Sequence, residues 1–164
     1  MEIKLDNDSS GREGLHGAEK KEAFHLEAES KIHSFKFDPP PIKIGTGKQK
    51  VHIKLAGTNS FRASMQILHK GGENNLHSHN AQNGFWFVLS GKVKFYGEGD
   101  KVIAELGPHE GIHIPRGFYY WFESCSDEVL ELLQVEAVDL TAKQNLRLNA
   151  TERQDPAKQI KVIA

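Results

Sequence analysis

GENNLHSHNAQNGFWFVLSG, Gly72 to Gly91, holds the most specific pattern in the chain. His77 and His79 stand two apart at the end of an extended segment. Alternate side chains of a strand leave on the same face, so both imidazoles can enter one cavity. Phe85-Trp86-Phe87-Val88-Leu89 reads as a buried strand, and Gly91 closes it. Working outward, short β segments are expected at Val51–Leu55, Arg62–Leu68, Phe85–Leu89, Lys92–Tyr96, Val102–Leu106, Gly111–Ile114, Tyr119–Glu123 and Val129–Val138. Turn chemistry separates them, with Gly71-Gly72, Ser90-Gly91 and Gly107-Pro108 among the breaks. Short strands at close spacing with no long helix between them predict an all-β sandwich or barrel.

The chain flanking these strands is polar. Residues 1–34 form a charged, glycine-containing N-terminal arm, with a short polar helix expected from Ala18 to Lys31. Pro39-Pro40-Pro41 imposes an extended segment. The barrel is expected over residues 35–140. Residues 141–164 are expected to leave it as a polar C-terminal tail, with Ile160–Ile163 available as a last edge strand.

Composition narrows the function classes. With 21 basic and 22 acidic residues among 164, the formal net charge is -1. That balance argues against nucleic-acid and anionic-membrane partners. A single cysteine, Cys125, precludes an internal disulfide and suits a reducing compartment. No apolar run approaches a membrane span, and the charged N-terminus lacks a secretory h-region. The expected location is cytoplasmic.

His77, His79 and the following strand to Gly91 resemble the first signature of the cupin superfamily. Gly111-Ile112-His113-Ile114-Pro115-Arg116-Gly117, a strand running into a Pro-x-Gly turn, resembles the second. The resemblance extends from about Val51 to Val138. It implies a double-stranded β-helix, a single-domain, RmlC-like jelly-roll barrel with its ligand site inside. It also implies a divalent transition metal (Fe, Mn, Zn or Cu) held by two histidines, a glutamate and a later histidine. By position these are His77, His79, Gly84 and Tyr120. Two imidazoles therefore remain, Gly84 has no side chain to offer, and a phenol ligates only when stripped of its proton. A third imidazole from His69, His109 or His113 would rebuild a three-histidine site. Without a metal, His77 and His79 serve as polar pocket residues or as general acid/base groups.

Alternation sets the expected pocket. Trp86 and Val88 share the face of Gly84, and Phe118 and Phe122 share that of Tyr120. Trp86, Phe118 and Tyr120 should therefore line a cavity with His77 and His79, with a ring stacked on Trp86. Gln66 and Gln134 either line it or face solvent, whereas Arg62 and Glu136 are expected on the solvent face. Arg116 is expected exposed at the mouth. Phe85, Phe87 and Leu89 leave on the opposite face and call for cover, for which a homodimer and the arm at Phe35–Ile44 are candidates.

The function expected is small-molecule binding in a His/aromatic pocket. The alternatives are a metal-dependent dioxygenase or isomerase, and a metal-free sugar-nucleotide epimerase or isomerase. In the metal-free case His77 or His79 abstracts a proton and Tyr120 donates one.

Overall fold

The computed structural model describes residues 17–38, 49–69, 75–150 and 158–163. The proline segment, the Gly71-Gly72 turn and most of the N-terminal arm lie outside these residues. The chain divides into two units, Met1–Phe35 and Lys36–Ala164. In the first, Ala18–Glu29 forms α1, a solvent-exposed polar helix whose end carries a Lys31–Glu27 ion pair at 2.6 Å. No helix among the described residues is long and apolar enough to cross a membrane.

The second unit is β structure. Its strands are β1 (Gln49–Gly57), β2 (Phe61–Leu68), β3 (His77–His79), β4 (Gln82–Ser90), β5 (Val93–Tyr96), β6 (Val102–Leu106), β7 (Gly111–Ile114), β8 (Trp121–Ser124), β9 (Leu130–Val138), β10 (Arg147–Asn149) and β11 (Lys158–Ile163). Six form one sheet in the order β11-β1-β2-β9-β4-β7, three form β6-β5-β8, and β10 pairs with β3. The strand spacing predicted an all-β sandwich or barrel, and the arrangement is the jelly roll that the cupin resemblance implied. The expected edge strand is present as β11, which runs parallel to β1.

The large sheet has an unusual distribution of polarity. Its outward side chains are apolar: Val51, Ile53 and Leu55 on β1 and Met65 and Ile67 on β2 are buried as one cluster, against which Phe37 and Leu133 pack. The inward side chains form cross-strand rows. Lys54 pairs with Ser64, Ser64 with Gln134, and Gln134 with Trp86. One step deeper, His52 pairs with Gln66, Gln66 with Leu132, and Leu132 with Val88. One step toward the mouth, Arg62, Glu136 and Gly84 lie abreast. The interior thus passes from polar at one end to a dry core of Trp86, Val88, Phe95, Phe122, Leu130 and Leu132 at the other.

Two expectations about chain placement fail. Residues 147–149 do not leave the barrel: β10 pairs antiparallel with β3, setting Arg147 opposite His79 and Asn149 opposite His77. The short histidine strand would otherwise have an unsatisfied backbone edge inside the protein, and β10 supplies it. Phe118 does not face inward with Tyr120. Gly117 adopts a positive φ of 83 in the turn, and Phe118 and Tyr119 follow it without strand pairing, so alternation begins only at Tyr120. Phe118 is 40% exposed and lines a separate surface hollow with Gly97 and Ile103.

On the outer face, Phe85 and Leu89 are 44% and 41% exposed, and the rings of Phe85 and Phe87 stack at 6.3 Å. The proposed covering strand at Phe35–Ile44 falls mainly outside the described residues.

Candidate functional site

His77 and His79 are held by backbone on both sides. β10 pairs along one edge, while His77 and Tyr120 exchange backbone N–H···O bonds of 3.1 and 2.9 Å along the other. The two imidazoles meet edge to face at 5.1 Å, and the Tyr120 ring lies 4.7 Å from that of His77. The sequence pattern therefore brings these three residues together as expected.

Their hydrogen bonds differ. The nearest partner of His77 Nδ1 is the Asn75 carbonyl oxygen at 2.6 Å, so Nδ1 carries the proton and Nε2 the lone pair. Asn145 Nδ2 donates to Gln82 Oε1 at 3.3 Å, which turns the Gln82 amide nitrogen toward His79 Nδ1 at 2.8 Å. His79 Nδ1 is then an acceptor and its proton sits on Nε2. Burial, aided by the positive charge of Arg147, lowers the pKa of His77 to about 3 and that of His79 to about 4. Both rings are neutral at physiological pH. Burial also drives the Tyr120 hydroxyl well above the usual phenol range, so it keeps its proton.

Two connected spaces lie beside these groups. An inner chamber of ≈ 10 Å³ is bounded by His79, Gln82, Gly84, Ile114, Tyr120 and Glu136, among others, and admits one water-sized group. A cleft of ≈ 540 Å³ opens outward between β1, β2 and β10 and shares His79, Gln82 and Glu136 with the chamber. Trp86 points its indole Nε1 toward Gly84: a Cβ on that glycine would come within 3.2 Å of the nitrogen. Among the described residues this buried N–H makes no well-formed hydrogen bond, although the Tyr120 hydroxyl lies close enough to feel it as a weak donor. An orphan donor of that kind costs about 1–3 kcal/mol unless something answers it.

Comparisons with known proteins agree with this architecture. The family model described as "Cupin domain" matches residues 64–136. Over that span the chain carries a cupin domain. Among solved structures, an uncharacterized conserved protein with a double-stranded beta-helix domain from Klebsiella pneumoniae superimposes with a TM-score of 0.59 at 19% identity. It covers 77% of this chain and 96% of its own. The polyketide cyclase RemF from Streptomyces resistomycificus gives 0.55 at 21% identity, covering 77% and 88%. No curated protein matches the chain in sequence. At these identities the structural likeness concerns the fold.

The donor set of this cupin domain does not fit a resident metal ion. Gly84 offers nothing, the Tyr120 phenol is held protonated, and the Gln82 amide occupies the Nδ1 lone pair of His79. Among the described residues no three His, Cys, Asp or Glu side chains converge on a point. Two of the three proposed substitutes, His113 and His109, lie elsewhere. His113 pairs with Phe85 on the outer face, and His109 packs near Phe87 on that same side.

Several other residues of the chain depart from expectation. The faces of Trp86 are covered by Phe95, Phe122 and Tyr120 at centroid distances of 6.0, 5.2 and 6.2 Å, which leaves no surface for a stacked ring. Only its N–H edge approaches the chamber. Gln66 and Gln134 are buried inward, and Gln66 Nε2 donates to Gln134 Oε1 at 2.5 Å. Glu136 was expected in solvent but lines both spaces. It accepts from Gln134 Nε2 at 2.7 Å and faces Arg62 at 3.8 Å. The misplacement arose because the inward row of its strand changes character along its length, from apolar Leu130 and Leu132 to polar Gln134 and Glu136. Arg116 is exposed as expected and pairs with Asp139.

Sequence reasoning missed two cations. Arg147 came from a segment with no strong strand signal. Lys50 begins the alternating run Lys50-Val51-His52-Ile53-Lys54, a period-2 pattern visible in the sequence whose basic face turns out to point inward. Lys50 is only 8% exposed, with Nζ 4.9 Å from the centroid of the Phe122 ring. Burial, and then the charge of Arg147, lowers its pKa to about 7.

Proposed function

We propose that this protein binds a small organic molecule in the cleft, with a hydrogen-bond acceptor of the ligand reaching the inner chamber. The observation that carries the reading is the Trp86 N–H beside Gly84, buried with no well-formed hydrogen bond in a protein whose other interior amides are largely paired. Trp86 itself lines neither space, but with no side chain at position 84 its N–H lies directly behind the chamber wall, where an acceptor pressed past Gly84 would answer it. Gln82 and Asn145 set the orientation of the His79 ring, which supplies a second donor through Nε2–H. A cleft of a few hundred cubic ångströms joined to a small polar recess is the usual form of a small-molecule site.

Binding is favoured over turnover by the same geometry. His77, the residue with an uncommitted ring lone pair, lines neither space. His79 lines both, but its lone pair is engaged by Gln82. The acid/base scheme with Tyr120 therefore has a proton donor and no imidazole base facing it.

A fragment screen followed by the Trp86 indole and His79 ring NMR signals tests the reading. Ligands of the cleft should move both signals, and Gly84→Glu should abolish the effect. Saturable small-molecule binding that leaves both signals unmoved would place the ligand elsewhere and refute the proposal.

A further inference from the structure

The cleft has a one-sided charge in a chain that is nearly neutral overall. Among the described residues, Lys54, Arg62 and Arg147 line it against a single carboxylate, Glu136. That carboxylate is already engaged by Arg62 and Gln134. Among the described residues, neither Lys54 nor Arg147 has a carboxylate partner. Lys50 lies deeper on the face of β1 that carries Lys54, also without one. Cations gathered in a concave site with low-dielectric walls repel one another and focus a positive potential on the space between them. Such an arrangement costs stability when empty, and an anion relieves it.

We propose that the ligand of this cleft is a small anion, a carboxylate or a phosphate ester, whose charged group is taken by Arg147 and Lys54. The inference rests on the small-molecule reading above and adds the ligand's chemical class. Arg147 offers a planar fork that matches either oxyanion, and Lys54 adds a point charge. Ser64 and Asn145 supply neutral polar contacts in the same cleft. The anion stays at the wide, basic end, while the narrow chamber takes the neutral acceptor. The placement of Arg147 depends on β10 pairing with β3, so the histidine strand and the anion site are built together.

The test is a backbone and side-chain NMR titration with inorganic phosphate, benzoate and the neutral isostere benzamide, all at one fixed ionic strength. Saturable shifts at Arg147, His79 and Gln82 with phosphate, benzoate or both, and none with benzamide, are expected. Response to only one anion identifies which oxyanion the site takes. Arg147→Gln and Lys54→Gln should each weaken binding about tenfold or more. Lys94→Gln, on β5 and paired with Glu105, should leave it unchanged. The two cleft variants are independent, so misfolding of one leaves the other informative. Benzamide binding as tightly as benzoate would overturn the anion assignment while retaining the small-molecule cleft. Absence of any saturable response in the cleft overturns both readings. Equal weakening in Lys94→Gln overturns the site in favour of general charge screening.

Discussion

Replacing Lys50 with methionine should stabilise the protein, and the gain should shrink as pH rises. Methionine keeps an unbranched chain of similar length and removes the ammonium from its place beside the Phe122 ring. The amine titrates near 7 in the folded protein, against 10.5 in its ordinary state. Between those values the unfolded chain binds the additional proton, so stability increases with pH through the window and levels off above it. At about 1.4 kcal/mol per pH unit, the full burden is about 5 kcal/mol below pH 7, falling to about 2 kcal/mol at pH 9. Urea unfolding of the wild type and Lys50→Met at pH 6, 7, 8 and 9 measures this directly. The two stability curves should converge by about 3 kcal/mol between pH 7 and pH 9. Parallel curves, or a methionine variant less stable at pH 6, would refute the claim that Lys50 is a buried cation without compensation. A native domain holds only about 5–15 kcal/mol in reserve. A cost of that size on the strand face that also carries the cleft residues His52 and Lys54 matches the strain that functional sites retain.

Further perturbations address other parts of the site. Gly84→Ala places a Cβ within 3.2 Å of the Trp86 indole nitrogen, so it should fold with a loss of about 1 kcal/mol in thermal unfolding. Gly84→Glu should in addition fill the chamber and eliminate benzoate binding; an unchanged dissociation constant contradicts the chamber's role. Elemental analysis of untagged protein should find iron, manganese, zinc and copper well below one equivalent. A full equivalent lost in the His77→Ala, His79→Ala double variant would overturn the donor argument. A homodimer formed through the exposed Phe85 and Leu89 face is expected in sedimentation equilibrium, with Phe85→Lys plus Leu89→Lys shifting it to monomer. A wild type that sediments as a monomer at micromolar concentration counts against that interface.

The fold was legible because period-2 alternation and turn residues recur along the middle of the chain. Each expected strand start lies within three residues of the observed one, and β6 and β7 match at both ends. His77, His79 and Tyr120 were legible as neighbours through the two motifs that carry them. Less legible was which face of each strand is inside. Alternation fixes two faces but does not say which is inside, and here both carry apolar residues while the inward one turns polar toward the mouth, so Glu136 was misassigned. Phe118 failed for a local reason: the pattern was extended backward through a turn in which it does not hold. Arg147 was invisible because a three-residue strand in a polar segment has too few positions to show a period. Its place depends on pairing with a distant strand.

The span matched by the family model runs from Ser64 to Glu136, and Lys50, His52, Lys54 and Arg147 all fall outside it. The shared barrel thus supplies the histidines, the chamber and the wall, while the charge that selects a ligand is carried on the first strand and on a short strand near the C-terminus. A protein trimmed to the matched span would retain the recognisable motifs and lose the preference for anions. Relatives that exchange these two flanking strands can acquire a different clientele without altering a single residue of the common core. For this chain, sorting homologues by what they carry at positions 50, 54 and 147 should group ligand preferences better than sorting them by the motif histidines.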